Sequence, residues 1–144
     1  MQTPDLAERR LALVRLHMKA ENVHDFDKVI ATFSRPRYEL IGSGQTHDGE
    51  SEVRAYFQAT RTAFPDQRNE LIALHCAADA VIAEFDLLGT HLGPLSTPTG
   101  DLPPTGRTFR ARCCAVFAFE GEKIVAERVY FDRLTILSQL TGAP

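Results

Sequence analysis

The chain has 144 residues, 44% hydrophobic and 24% charged, with a formal net charge of −3 and no tryptophan. That is ordinary globular composition in a length that suits one domain with a sizeable core. The acidic balance and the lack of a lysine-rich run exclude a nucleic-acid binder, and no apolar stretch is long enough to span a bilayer.

The first residues, Met1-Gln2-Thr3-Pro4-Asp5, are polar and charged, with no signal-peptide apolar segment behind them, so a cytoplasmic protein is expected. Thr3-Pro4-Asp5 reads as a helix start, with a capping hydroxyl and a proline in the first turn. Ala7, Leu11, Val14 and Met18 then recur at helical spacing. Phe26, Val29, Ile30 and Phe33 predict a short second helix capped by Asp25, and residues 38–41 a short strand. Residues 42–49 read as a loop. A third helix is expected over 50–64, with Val53, Tyr56, Phe57, Thr60 and Phe64 inward, stopped by Pro65.

The period then changes to that of strands. Residues 68–76 and 80–91 form a predicted hairpin, and 92–106 a loop rich in Gly, Pro, Ser and Thr. Residues 107–119 and 123–132 form a second hairpin around Gly121, and 134–140 a closing helical turn or short helix. Helices first and hairpins after argue for α+β, with an antiparallel sheet packed on helices, in one domain over 1–144. Cys113 and Cys114, as strand neighbours, face opposite ways, so both are expected to be reduced, like Cys76.

Side-chain parity sorts the strands into faces. In 80–91 the odd residues Val81, Ala83, Phe85, Leu87, Gly89 and His91 make an apolar face that ends in one imidazole, while Glu84 and Asp86 face away. In 124–132 the even face carries Arg128, Tyr130 and Asp132, whereas Glu127 stands alone among apolar odd residues. Either face turned inward brings an ionisable group to the core, where desolvation raises a carboxyl pKa towards the range of general acid–base work. A bulge would exchange Glu127 for Arg128. Asp132 equally suits a cap for a helix starting near Arg133, and His91 a structural strand end. His17, His24, His47 and His75 have no chemistry-specific neighbours in sequence and read as surface or core. No dinucleotide, P-loop, zinc or nucleophile-elbow spacing is present, so no metal or cofactor is expected.

The run Gly89-Thr90-His91, the segment Pro103-Pro104-Thr105-Gly106-Arg107, and Gly121-Glu122-Lys123-Ile124-Val125 continuing through Glu127-Arg128-Val129-Tyr130-Phe131-Asp132 occur in that order. Together they resemble the SnoaL-like polyketide cyclase family of the nuclear-transport-factor-2-like superfamily. The resemblance implies N-terminal helices packed on a strongly curved antiparallel sheet, a cone with an internal pocket, and dimerisation through the outer face of the sheet. It implies cofactor-free intramolecular aldol chemistry, with Asp132 as the acid–base carboxylate and His91 as a pocket histidine. Arg128 and Tyr130, with Phe85 and Leu87, would bind a small apolar or aromatic carbonyl compound. Arg128 stands where related sequences often carry a large aromatic, which suits an anionic or enolate-bearing ligand. The alternatives are a non-catalytic ligand-binding or dimeric interaction module of the same fold and, more weakly, an epoxide hydrolase or a ketosteroid isomerase-like enzyme.

Overall fold

The computed structural model describes residues 5–142. Helix α1 spans Leu6–Asn22, and its N-cap is Asp5, whose carboxylate accepts from the Glu8 amide at 2.8 Å. The expected Thr3 cap and Pro4 first turn lie outside the described residues. Helix α2 (Phe26–Ala31) is capped by Asp25, as its sequence predicts. Strands β1 (Arg37–Leu40) and β2 (Gln45–Asp48) form a hairpin, followed by α3 (Glu50–Ala63), which stops before Pro65. Strands β3 (Arg68–Cys76) and β4 (Ala80–Thr90) come next, and then a small hairpin of β5 (Leu95–Thr97) and β6 (Gly100–Leu102). The chain closes with β7 (Thr108–Glu120), β8 (Lys123–Tyr130) and α4 (Arg133–Thr141).

Six strands form one curved sheet in the order β2-β1-β8-β7-β4-β3. Every pair is antiparallel except β1 with β8, which run parallel, so the sheet is mixed where an antiparallel one was expected. The reason is the connection. The chain leaves β1 and returns to its side only after four further strands of the same sheet, so no hairpin constrains the direction of that pair. Strand β2 and the β5–β6 hairpin fall in segments read as loops, because four polar residues on a sheet edge and two three-residue strands carry no alternating apolar signal.

Parity holds along β4 and β7. Val81, Ala83 and Phe85 meet Phe109, Ala111, Cys113, Ala115 and Phe117 in the core, together with Val14 and Met18 of α1 and Val53 and Phe57 of α3. Two bulges break it. In β3, Ile72 has no partner between Leu71↔Phe85 and Ala73↔Glu84; in β8, Val125 has none between Phe119↔Ile124 and Ala118↔Ala126. Each inserts one residue, bends its strand and exchanges the faces beyond it. Past Val125 the inward residues are therefore Glu127 and Val129, and Arg128 and Tyr130 turn out.

Arg10 anchors α1 to the turns of both long hairpins. Its Nε donates to the Gly121 carbonyl at 2.9 Å and one terminal nitrogen to the Ala78 carbonyl at 3.0 Å, and its guanidinium lies 5.2 Å from the Phe119 ring centre. Replacing it with methionine keeps the packing and removes both charge-assisted bonds. The Arg10→Met variant should lose about 2 kcal/mol of stability in urea unfolding, and a loss under about 0.5 kcal/mol would show that water serves those turns equally well.

Candidate functional site

A cavity of about 710 Å³ opens between α3, α4, the β5–β6 hairpin and the sheet. Leu40, Leu87, Phe109, Val129, Phe131 and Leu137 give it apolar walls. Gly42 makes part of this wall possible: a Cβ there would sit 2.4 Å from the Phe131 carbonyl oxygen, so only glycine lets the β1–β2 turn close on the strand end.

Polar residues also line the cavity: Ser43, Thr60, Thr62 and Thr97 donate to backbone carbonyls, whereas others stand without a partner among the described residues. His47 of β2 stacks on Tyr56 of α3 (4.7 Å, 17°), and its Nε2 is buried without a hydrogen-bond partner among the described residues. Burial lowers the His47 pKa, only partly opposed by Glu52, so the ring is neutral at pH 7. Gln67 is 7% exposed and its side-chain amide has no partner among the described residues. Half-buried Arg133 likewise has no hydrogen bond or ion pair there. Tyr56 stays a phenol, because burial raises its pKa and, although Arg61 lowers it, Glu21 and Glu127 add to the rise. Cys113 also lines the cavity, its thiol pushed up to about 11 by burial, Asp86 and Cys114, so it remains protonated.

Next to Tyr38 and Tyr56, outside the cavity lining, lies a buried charge network. The Thr32 hydroxyl donates to the Val29 carbonyl (2.6 Å), so it can only accept from His17 Nδ1 at 2.9 Å, and that nitrogen carries a proton. Nε2 lies 2.6 Å from Glu21 and 2.8 Å from Glu127, and two carboxylates facing one nitrogen require a proton there too. His17 is thus an imidazolium. Burial pulls its pKa down, but Glu21 and Glu127 more than reverse this and bring it to about 10. Glu127 is raised to about 6 by burial and by Glu21, against the pull of His17 and Arg61. Glu21 is lowered: burial is outweighed by His17 and by Arg61, whose nearest nitrogen is 3.6 Å away.

The same three side chains bring ligand atoms within 4.8 Å of one another and are the cluster that could hold a metal among the described residues. Ligand atoms on a tetrahedral zinc with bonds of ~2.0–2.1 Å sit roughly 3.3 Å apart. The separations of 2.6 and 2.8 Å are those of a shared proton instead. Sequence signals for the network existed. His17 and Glu21 continue the helical stripe of Val14 and Met18, and Glu127 was the lone ionisable group on its face.

The residues expected to form the site are dispersed. Leu87 lines the cavity, and Phe85 lies in the core at 5% exposure. His91 is fully buried beyond the end of β4, where its Nδ1 accepts from the Thr105 amide (3.1 Å) and lies 3.0 Å from the Thr105 hydroxyl; burial lowers its pKa. This ties the 102–107 segment to the sheet and leaves His91 outside the cavity lining. Arg128 and Tyr130 pair with Val116 and Cys114 on the outer face. Asp132 caps α4, accepting from the Leu134 and Thr135 amides (3.0 and 3.4 Å) and the Thr135 hydroxyl (2.8 Å). The Thr135 and Leu134 bonds hold its pKa below the usual carboxylate value, opposite to the rise expected for an apolar site. None of the four lines the cavity: the Val125 bulge turns Arg128 and Tyr130 outward, the α4 cap holds Asp132, and Thr105 holds His91.

The SnoaL-like polyketide cyclase model matches residues 11–140. The chain belongs to that family. No curated protein matches this SnoaL-like chain, but solved structures share its fold. A SnoaL-like protein from Jannaschia sp. CCS1 is 17% identical over 100% of this chain and 99% of its own, with a TM-score of 0.85. A proposed polyketide cyclase from Xanthomonas campestris pv. campestris gives 19%, 94%, 99% and 0.82. A nuclear-transport-factor-2-like protein from Burkholderia thailandensis E264 gives 23%, 97%, 98% and 0.75.

The charge network makes stability depend on alkaline pH. Between about 6.5 and about 10 the native His17 holds a proton that the unfolded chain lacks, so native binds more protons and stability falls as pH rises. The extra slope should approach about 1.4 kcal/mol per pH unit. The charge-balanced double variant His17→Gln/Glu127→Gln should flatten it in urea unfolding from neutral to alkaline pH; parallel curves for the two proteins would mean that His17 is not charged in the native state.

Proposed function

We propose that this protein is a cofactor-independent enzyme of the polyketide cyclase type, acting on a small carbonyl compound by proton transfer in the cavity. The observation that carries this reading is the buried, unpartnered Nε2 of His47 on the cavity wall, stacked on Tyr56, with Gln67 also among the lining residues. Buried polar groups are normally hydrogen-bonded within the protein, and a concave apolar site with a few convergent unpaired groups is built for a ligand.

The neutral His47 imidazole would take the proton α to a carbonyl. The enolate carbon would attack a second carbonyl of the same folded molecule, forming the C–C bond, and the alkoxide would recover the proton from the imidazolium. Tyr56, kept protonated by burial and by the acids behind it, would donate to the enolate oxygen. Gln67 would orient the carbonyl. Proton transfer by one placed group is worth roughly 10²–10⁴-fold, and confinement of the folded substrate supplies the remainder. The role assigned to Asp132 by resemblance passes in this proposal to His47, since the Asp132 lone pairs hold the α4 amides.

The readout is deuterium uptake at the α-carbon of an aryl methyl ketone in heavy water, followed by NMR. His47→Gln should slow uptake roughly 10²-fold or more with ketone binding retained. Asp132→Asn, which preserves a cap, should leave uptake within about twofold and stability within about 1 kcal/mol. The opposite pattern would return the base to Asp132, and uptake unaffected by either change would favour a binding module without catalysis.

The convex sheet face supports pairing with a second copy. Across its strands Asp86 pairs with Arg110 and Arg112 (2.8 and 2.7 Å) and the Glu84 carboxylate lies 2.8 Å from His75 Nε2, while Tyr130 stands 44% exposed. Sedimentation equilibrium should report a dimer that Tyr130→Glu weakens; a wild-type monomer at micromolar concentration would remove this pairing.

A further inference from the structure

Arg133 is the unexplained charge of the cavity. It is half-buried on the wall beside Phe131, Ile136 and Leu137, and no hydrogen bond or ion pair engages it among the described residues. It is also the first residue of α4, where the helix dipole is positive and a cation is unfavourable. No acidic side chain occupies that first turn. The capping Asp132 carboxylate is occupied by the Leu134 and Thr135 amides and forms no ion pair with Arg133. Asp101, the carboxylate among the lining residues, lies on the exposed β5–β6 hairpin in water and is also not paired to it. His47 is neutral. A guanidinium held at a helix start, half-dehydrated and unpaired, costs stability that nothing in the fold returns.

We propose that Arg133 receives the carboxylate of the ligand, so that the cavity takes an amphipathic carboxylic acid whose apolar or aromatic body fills the wall of Leu40, Leu87, Phe109 and Val129. The inference rests on the cavity being the ligand site and adds the anionic class to it. Guanidinium and carboxylate match as a planar fork, and the apolar surround strengthens the pair. Gln67, at the wall with both a donor and an acceptor free, serves a neutral carbonyl or hydroxyl elsewhere on the same molecule. The two polar positions thereby divide the ligand into an acid end and a carbonyl end.

The test compares naphthoate with its uncharged methyl ester, read by probe fluorescence, which the absence of tryptophan leaves unobstructed. The wild type should bind the acid about tenfold or more tightly than the ester at neutral pH. Arg133→Gln should erase that preference while leaving ester affinity unchanged, and Arg133→Lys should restore part of it. Melting of Arg133→Gln should be no lower than that of wild type, since a cation leaves a helix start; a merely structural arginine would lower it. Equal binding of acid and ester by the wild type, or loss of both probes in Arg133→Gln, would overturn the anion assignment and leave the cavity reading standing. Binding of neither probe to the wild type would overturn both.

Discussion

The fold depends on one buried cation. His17 is clamped between Glu21 of its own helix and Glu127 of β8, its far nitrogen is held by Thr32 just past α2, and the Tyr38 hydroxyl of β1 lies 3.3 Å away. Arg61 of α3 closes the charge balance from behind Glu21. Five elements thus meet at a single imidazolium. Phe33 and Phe117 close on it edge-on, at 5.5 and 5.1 Å, which excludes water and makes each charge dependent on its partners. Removing one partner strands another, so the network specifies how the helical layer sits on the sheet.

That position in turn shapes the cavity. Tyr56 stands between the two regions: its ring packs on Tyr38 at 5.3 Å on one side and stacks on His47 on the other. The network is paired within the protein, whereas His47, Gln67 and Arg133 on the cavity wall are not. This contrast separates polar groups engaged within the fold from polar groups left free on the cavity wall. His91 falls between the two sets: its Nδ1 is held by Thr105, while its Nε2 is buried without a partner among the described residues.

The legibility of the site followed the strength of local patterns. The long strands and three of the helices were readable because their apolar residues repeat at their proper periods over many positions. The odd face of β4 and the isolated Glu127 were readable for the same reason. The β2 strand was not, since its four residues Gln45, Thr46, His47 and Asp48 are polar and lie on an edge, and with it went the significance of His47. Asp132 satisfied two readings at once, cap and catalyst, and only its distances to Leu134 and Thr135 separate them.

By itself, the sequence determined the class of the fold, the order of its elements, the family and the presence of an ionisable group near the core, because each is encoded in local periodicity or in contiguous motifs. Tertiary structure decided which ionisable groups meet and which remain free. One unpaired residue, Val125, turns Glu127 inward and Arg128 outward, and whether a strand accommodates such a bulge is set by its neighbours β7 and β1 rather than by its own residues. The parallel pairing of β1 with β8 and the apposition of β2, α3 and α4 around the cavity join residues far apart in the chain. No periodicity within a segment reports on contacts made that far away.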